Sequence, residues 1–347
     1  MTPAFSRPFT PRDAPLWITV LLAVLSLPYG LVVRGRNFLY DLNLLPAREL
    51  PIRAVCIGNL TTGGTGKTPA VAWVARFFKA KGIPAAILRR GYKRGKGKGP
   101  SDESLLLMEQ VPEVQVIENP DRVAAAKEAA GRGAELVILD DGFQHRRAKR
   151  DLDLVLVDAA DPFGGGHILP WGLLREPVQG LARADLLILT RCDQVSESTL
   201  EQLEIRLKAL KPEALVVRAA HAPCRLFKAG DGSLLDLKLL VGKKVRAFAG
   251  IARPQAFFRT LEDLGAHVER RIEFPDHHDY KAEEATALLK QSGMTWITTE
   301  KDWVKIRQLV PEIQDLWVLG IDLEILRGGD HLEKILATML SKKRDQG

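Results

Sequence analysis

Apolar residues come in short unbroken runs along much of this chain, each followed by a polar or glycine-bearing turn and then by a segment with helical spacing. Residues 54–57, 85–88, 114–117, 136–139, 154–157 and 186–189 are such runs. Strands without polar alternation fit a sheet covered on both faces, the pattern of parallel strands between helices. Residues 70–81, with Val71, Val74, Ala75 and Phe78 at helical spacing, predict a helix, as do 122–132 and 196–210. The expected fold of residues 37–217 is α/β, a mostly parallel sheet with helices on both faces.

The pattern changes beyond that point. Residues 214–218 and 224–227 predict short strands and Gly230-Asp231-Gly232 a hairpin turn. Strands at 245–249, 268–274 and 296–299, with helices at 255–264 and 282–290, form a smaller α/β domain. The expected division is a membrane-associated segment at 1–36, the main domain at 37–217, a linker hairpin at 218–238, the smaller domain at 239–325, and a terminal helix and tail at 326–347. The Lys342-Lys343-Arg344 tail is expected to be disordered.

The longest apolar run is 14–33, near the ~20 residues that cross a bilayer. Pro28 and Gly30 interrupt it, and Arg7, Arg12, Arg34 and Arg36 flank it. An interfacial anchor, a spanning helix and a buried helix all fit this run. A cleaved signal peptide is not expected, because no small-residue cleavage site is evident.

Composition narrows the partners. The 347 residues carry a net charge of +7, which favours an anionic partner, and the 46% hydrophobic content is ample for packed cores. Cys56, Cys192 and Cys224 have no disulfide or metal spacing. Nucleic acid is not expected, since the charge is spread without a reader motif or aromatic platform.

Between the first strand and the first helix of the main domain stands Thr62-Gly63-Gly64-Thr65-Gly66-Lys67-Thr68. A glycine loop opening a helix aims backbone N–H groups at phosphates, with lysine on the outer phosphates and threonine available to Mg²⁺. The predicted ligand is ATP with Mg²⁺. Thr61 departs from the general motif, which has glycine there. The run 136–139 ends in Asp140-Asp141, where a P-loop protein holds Mg²⁺. Lys67, Asp102, Asp140, Asp141, Asp158 and Asp193 all follow predicted strands, so one sheet rim is expected to gather them. From position alone, Asp102 and Glu103 look like helix-capping residues. Two further features are a basic stretch at 89–99 and a glycine-rich loop at 161–177. Thr190-Arg191-Cys192-Asp193 faintly matches the base-reading N/T-K-x-D element of GTPases, which leaves open a GTPase or metallochaperone-like switch. A membrane-bound ATPase that modifies no small molecule is a third possibility.

Taken together the motifs resemble the tetraacyldisaccharide 4'-kinase family, the lipid A 4'-kinases of Gram-negative bacteria. The resemblance rests on Gly58-Asn59-Leu60 leading into Gly63 to Pro69, on Arg90-Gly91-Tyr92, Asp140-Asp141-Gly142-Phe143-Gln144-His145, Leu174-Arg175-Glu176-Pro177, Phe248-Ala249-Gly250-Ile251, Asp276-His277-His278 and Thr299-Glu300-Lys301-Asp302, in that order. It implies γ-phosphoryl transfer from ATP to the 4'-hydroxyl of a tetraacylated glucosamine disaccharide 1-phosphate. The implied location is the cytoplasmic face of the inner membrane, among membrane lipids, and a monomer is expected. It also implies an acid/base pair, matched here to Asp102 and His277 with His278 as neighbour, and a role for Arg175 at the transferring group. Arg90, Lys93, Arg94, Arg146 and Arg147 are candidates for anionic headgroups or substrate phosphate.

Overall fold

The computed structural model describes residues 15–91, 99–290, 293–310 and 315–341. Arg7, Arg12, Lys93, Arg94 and the tail at 342–347 lie outside the described residues. The described residues divide into a larger unit, 15–221 and 323–341, and a smaller one built from 222–322.

The larger unit begins with helix α1 (Leu16–Asp41), which continues through Pro28. Its buried residues, Ser26, Gly30 and Val33, form one narrow stripe, while Leu16, Trp17, Val20, Val24, Leu31, Val32 and Phe38 are exposed. A core helix would hide these side chains, so the buried-helix alternative does not describe α1.

Strands β1 (Arg53–Asn59), β2 (Ala85–Arg89), β3 (Gln115–Glu118), β4 (Leu136–Asp140), β5 (Leu152–Asp158), β6 (Leu186–Thr190) and the first part of β7 (Leu215–Lys228) lie in the order β7-β6-β5-β1-β4-β2-β3. Every one of these pairings is parallel. The helices between them are α2 (Lys67–Ala80), α3 (Asp102–Gln110), α4 (Arg122–Gly131) and α5 (Glu197–Leu210).

Both faces are dry because successive strand residues point opposite ways. Val55 and Ile57 join a core with Phe78 of α2 and Leu107 of α3, while Ala54 and Cys56 join another with the alanines of α4 and with Leu200, Leu203 and Leu207 of α5. β1 lies between β4 and β5, where the strand order reverses, and ligands in open α/β sheets bind at such a reversal. Helix α9 (Gly329–Ser341) belongs to this unit, with Leu332, Leu336 and Met339 in the α2 core.

In the smaller unit, β9 (Lys244–Ala249), β10 (His267–Glu273), β11 (Thr295–Thr299) and the first part of β12 (Leu316–Arg327) pair in parallel in the order β10-β9-β11-β12. α6 (Pro254–Asp263), α7 (Ala282–Leu289) and α8 (Glu300–Ile306) connect them. Two strands expected at 214–218 and 224–227 are one continuous strand, β7, because Ala219 and Ala220 stay buried and the backbone does not break at Pro223. The Gly230-Asp231-Gly232 turn joins β7 to antiparallel β8 (Leu234–Leu235), as its residue types predict.

Asp302 explains why the Thr299-Glu300-Lys301-Asp302 stretch follows β11. Its carboxylate is fully buried and accepts from the Gly250 N–H (3.0 Å), Thr299 Oγ1 (2.7 Å) and Tyr280 Oη (3.0 Å). The Asp302 N–H in turn donates to Thr299 Oγ1, the N-cap of α8, at 3.1 Å. Asp302→Ala would strand these donors, and the expected loss is about 3 kcal/mol or more, read as a lowered melting temperature. A variant as stable as the parent would contradict this structural role.

Candidate phosphate-binding and active site

β1 ends at Asn59, the chain turns, and α2 starts at Lys67. Gly66 is the helix N-cap with φ of 84°, and a Cβ there would collide with the His221 ring, so only glycine fits this corner. The first N–H groups of a helix lack intrahelical partners and carry the positive end of its dipole, which makes this turn an anion site. The loop is anchored from outside by the Thr62 N–H, which donates to the Leu173 carbonyl at 2.7 Å.

Lys67 Nζ lies 3.1 Å from Asn59 Oδ1 and 3.5 Å from Asp141 Oδ1. Arg175 Nη1 reaches both oxygens of the same aspartate, at 2.9 and 2.8 Å. Burial opposes the Asp141 charge, but Lys67 and then Arg175 outweigh it and hold the carboxyl below its ordinary range. Asp140 differs. It is 3% exposed, Arg89 Nε sits 2.9 Å from Oδ2, and Oδ1 is buried with no hydrogen-bond partner among the described residues. Burial raises its pKa despite Arg89 and Lys67.

Asp102 is the first residue of α3, whose N-cap is Ser101. Its neighbour Glu103 pairs with Arg89, the residue that also holds Asp140, so α3 opens onto the same rim. The structure thus gathers Lys67, Asp140, Asp141 and Arg175 beside the first turn of α3.

His277 stands in the smaller unit, exposed, at a φ of 59°, with its ring 3.8 Å from Asp276. His278 is engaged differently, with its Nε2 2.8 Å from Glu284 and its ring stacked on Phe274. The geometry separates the two: His278 is a packed, partnered residue and His277 is presented to solvent.

Several contributors have no role assigned from the sequence, although Gln144 and Glu176 stand within its motifs. Glu176 is fully buried and accepts from Asn37 Nδ2 of α1 (2.8 Å), Gln144 Nε2 (3.0 Å) and Arg183 Nη2 (2.8 Å). Gln144 also donates to the Asn59 carbonyl at 2.9 Å, and Tyr29 Oη of α1 donates to the Arg175 carbonyl at 2.9 Å. Arg146, a headgroup candidate by sequence, instead holds the end of α1 through Asp41 (2.8 Å) and the Asn37 carbonyl (2.9 Å). A buried glutamate between arginine and proline in a loop is a faint signal, and its partners lie too far along the chain for spacing to reveal them.

A family model described as tetraacyldisaccharide-1-P 4'-kinase matches residues 18–341. The chain belongs to this family. A tetraacyldisaccharide 4'-kinase of Anaeromyxobacter dehalogenans strain 2CP-C is 40% identical across 91% of this chain and 89% of its own. One from Syntrophus aciditrophicus is 37% identical across 91% of each. A solved structure of LpxK from Aquifex aeolicus in complex with ATP superimposes with a TM-score of 0.73 at 28% identity, covering 93% of this chain and 99% of that one. The chain is thus a member of a phosphotransferase family.

Asp141 ties the site to stability. A carboxyl held below its ordinary pKa stabilises the fold above that ordinary value, and the contribution disappears as pH falls through the folded-state pKa. Asp141→Asn should therefore melt below the parent at neutral pH, with the gap closing as pH drops below about 4. A gap independent of pH would show that Lys67 and Arg175 do not stabilise the Asp141 charge.

Proposed function

We propose that this kinase transfers the γ-phosphoryl group of ATP to the 4'-hydroxyl of a tetraacylated glucosamine disaccharide 1-phosphate, a step of lipid A synthesis. The observation that carries the site assignment is the Lys67, Asp141 and Arg175 cluster at the mouth of the glycine loop. Gly63 to Thr68 bind the phosphates through backbone N–H groups, and Lys67 moves its charge from Asp141 to the outer phosphates when they arrive. Thr62, a phosphate ligand by sequence, has its N–H committed to the Leu173 carbonyl and anchors the loop. Arg175, already beside the cluster, neutralises charge on the transferring group.

Thr68 with Asp140 or Asp141 would hold Mg²⁺, which supplies further charge neutralisation on the phosphates. The residues fit. Asp140 offers a buried oxygen with no partner, and no cluster of three or more His, Cys, Asp or Glu stands there as an all-protein cage, among the described residues. Magnesium sites in phosphate chemistry take one or two carboxylates and complete the shell with phosphate and water.

We assign the proton-handling roles to Asp102 and His277. Asp102 accepts the proton of the attacking sugar hydroxyl, and His277, exposed on its turn, orients or shares that proton. Helix α1, with its exposed apolar side chains, lies in or across the cytoplasmic face of the inner membrane, where an acylated substrate is held. The enzyme acts there as a monomer.

The test is transfer of labelled γ-phosphate from ATP to tetraacyldisaccharide 1-phosphate in detergent micelles, with GTP and no-lipid controls. Labelled bisphosphorylated lipid is expected, and nucleotide hydrolysis without labelled lipid would contradict the reading. Asp102→Ala should keep ATP binding and lose about a hundredfold or more in turnover. Unchanged turnover would remove Asp102 from its role. In Lys67→Ala, nucleotide affinity and turnover should fall together, and parent-like kinetics would undo the phosphate-loop assignment.

A further inference from the structure

Thr190-Arg191-Cys192-Asp193 matches a base-reading element in sequence, yet its first two residues face the phosphate loop. β6 ends at Thr190, whose Oγ1 donates to the Thr65 carbonyl at 3.1 Å. Arg191 follows at a φ of 57° and is 8% exposed. Its Nη1 pairs with Asp158, the buried last residue of β5, and its Nη2 donates to the Gly64 carbonyl at 2.5 Å. On β7, the His221 ring fills the space that a Cβ on Gly66 would need. Burial and then Arg191 lower the pKa of this histidine to about 3, so it packs as a neutral ring. The end of β6 and the middle of the neighbouring strand β7 therefore address three consecutive loop residues, Gly64, Thr65 and Gly66.

The consequence follows from peptide geometry. In a trans peptide the carbonyl of one residue and the N–H of the next point in opposite directions. Pinning the Thr65 carbonyl to Thr190 aims the Gly66 N–H away from β6. Pinning the Gly64 carbonyl to Arg191 fixes the plane that carries the Thr65 N–H, which itself donates to the Gly63 carbonyl at 3.1 Å.

We propose that Asp158, Thr190 and Arg191 form a clamp that holds the phosphate loop in its anion-binding shape before nucleotide arrives, with Arg191 a positioning residue for the phosphates and not a reader of the base. This rests on the phosphate-loop assignment above. It also accounts for arginine where the base-reading element has lysine, because two donors in a fixed fork serve a carboxylate and a carbonyl at once. An ordered loop lowers the cost of binding, so the clamp acts on nucleotide affinity.

The experiment is calorimetric binding of a non-hydrolysable ATP analogue and its GTP counterpart to the full chain in micelles, beside steady-state kinetics. Thr190→Val, nearly isosteric, should weaken the ATP analogue about fivefold, and Arg191→Ala about tenfold or more, with Arg191→Lys between parent and Arg191→Ala. Thr190→Val and Arg191→Ala should both raise KM for ATP while leaving KM for the lipid and the preference between the two nucleotides unchanged. If Arg191→Ala does not fold, Thr190→Val decides alone. Analogue affinity within about twofold of the parent in every folded variant would overturn the clamp, as would an affinity loss confined to one of the two bases. A parent that binds neither analogue would instead overturn the phosphate-loop assignment.

Discussion

A carboxylate at the end of a buried strand persists as an anion only when cations are held against it, and the larger unit is arranged around that constraint. Asp141 leaves β4 into the left-handed region and meets Lys67 from the head of α2 and Arg175 from a distant loop. The same rim holds a second such pairing, Asp140 with Arg89, and a third, Asp158 with Arg191. Each joins elements that are remote in sequence, so the ion pairs that satisfy the strand ends also fix the loops that bear function. On Asp141, the cations are those a polyanion would recruit.

That arrangement extends to α1. The helix exposes an apolar surface yet offers Tyr29 and Asn37 to the segment carrying Arg175 and Glu176. The Glu176 carboxylate, buried and held by three side chains, makes this contact specific as well as apolar. The exposed apolar helix and the Lys67 cluster are thereby joined by one hydrogen-bonded network.

Much of the fold was legible in the sequence because a doubly covered parallel sheet leaves continuous apolar runs, and 54–57, 136–139 and 186–189 fall within β1, β4 and β6. Lys67 and the paired aspartates were legible for a similar reason: glycine, lysine and carboxylates recur at fixed offsets from strand ends. The continuity of β7 was not, because Ala219 and Ala220 are buried by packing that local pattern does not encode. Glu176, Arg89 and Arg191 were equally hidden as site members, since charged residues on loops and at strand ends look like solvated surface until the fold buries them. Arg146 shows the converse: a basic residue suggesting a headgroup contact is occupied by the end of α1.

The central claim is that the cations gathered on Asp141 are poised for a triphosphate. A crystal structure of the full chain with a non-hydrolysable ATP analogue tests it most directly. The account predicts the phosphates on the N–H groups of Gly63 to Thr68, with Lys67 Nζ moved off Asn59 and Asp141 onto the outer phosphates. Phosphates bound elsewhere, with Lys67 still paired to Asp141, would contradict it.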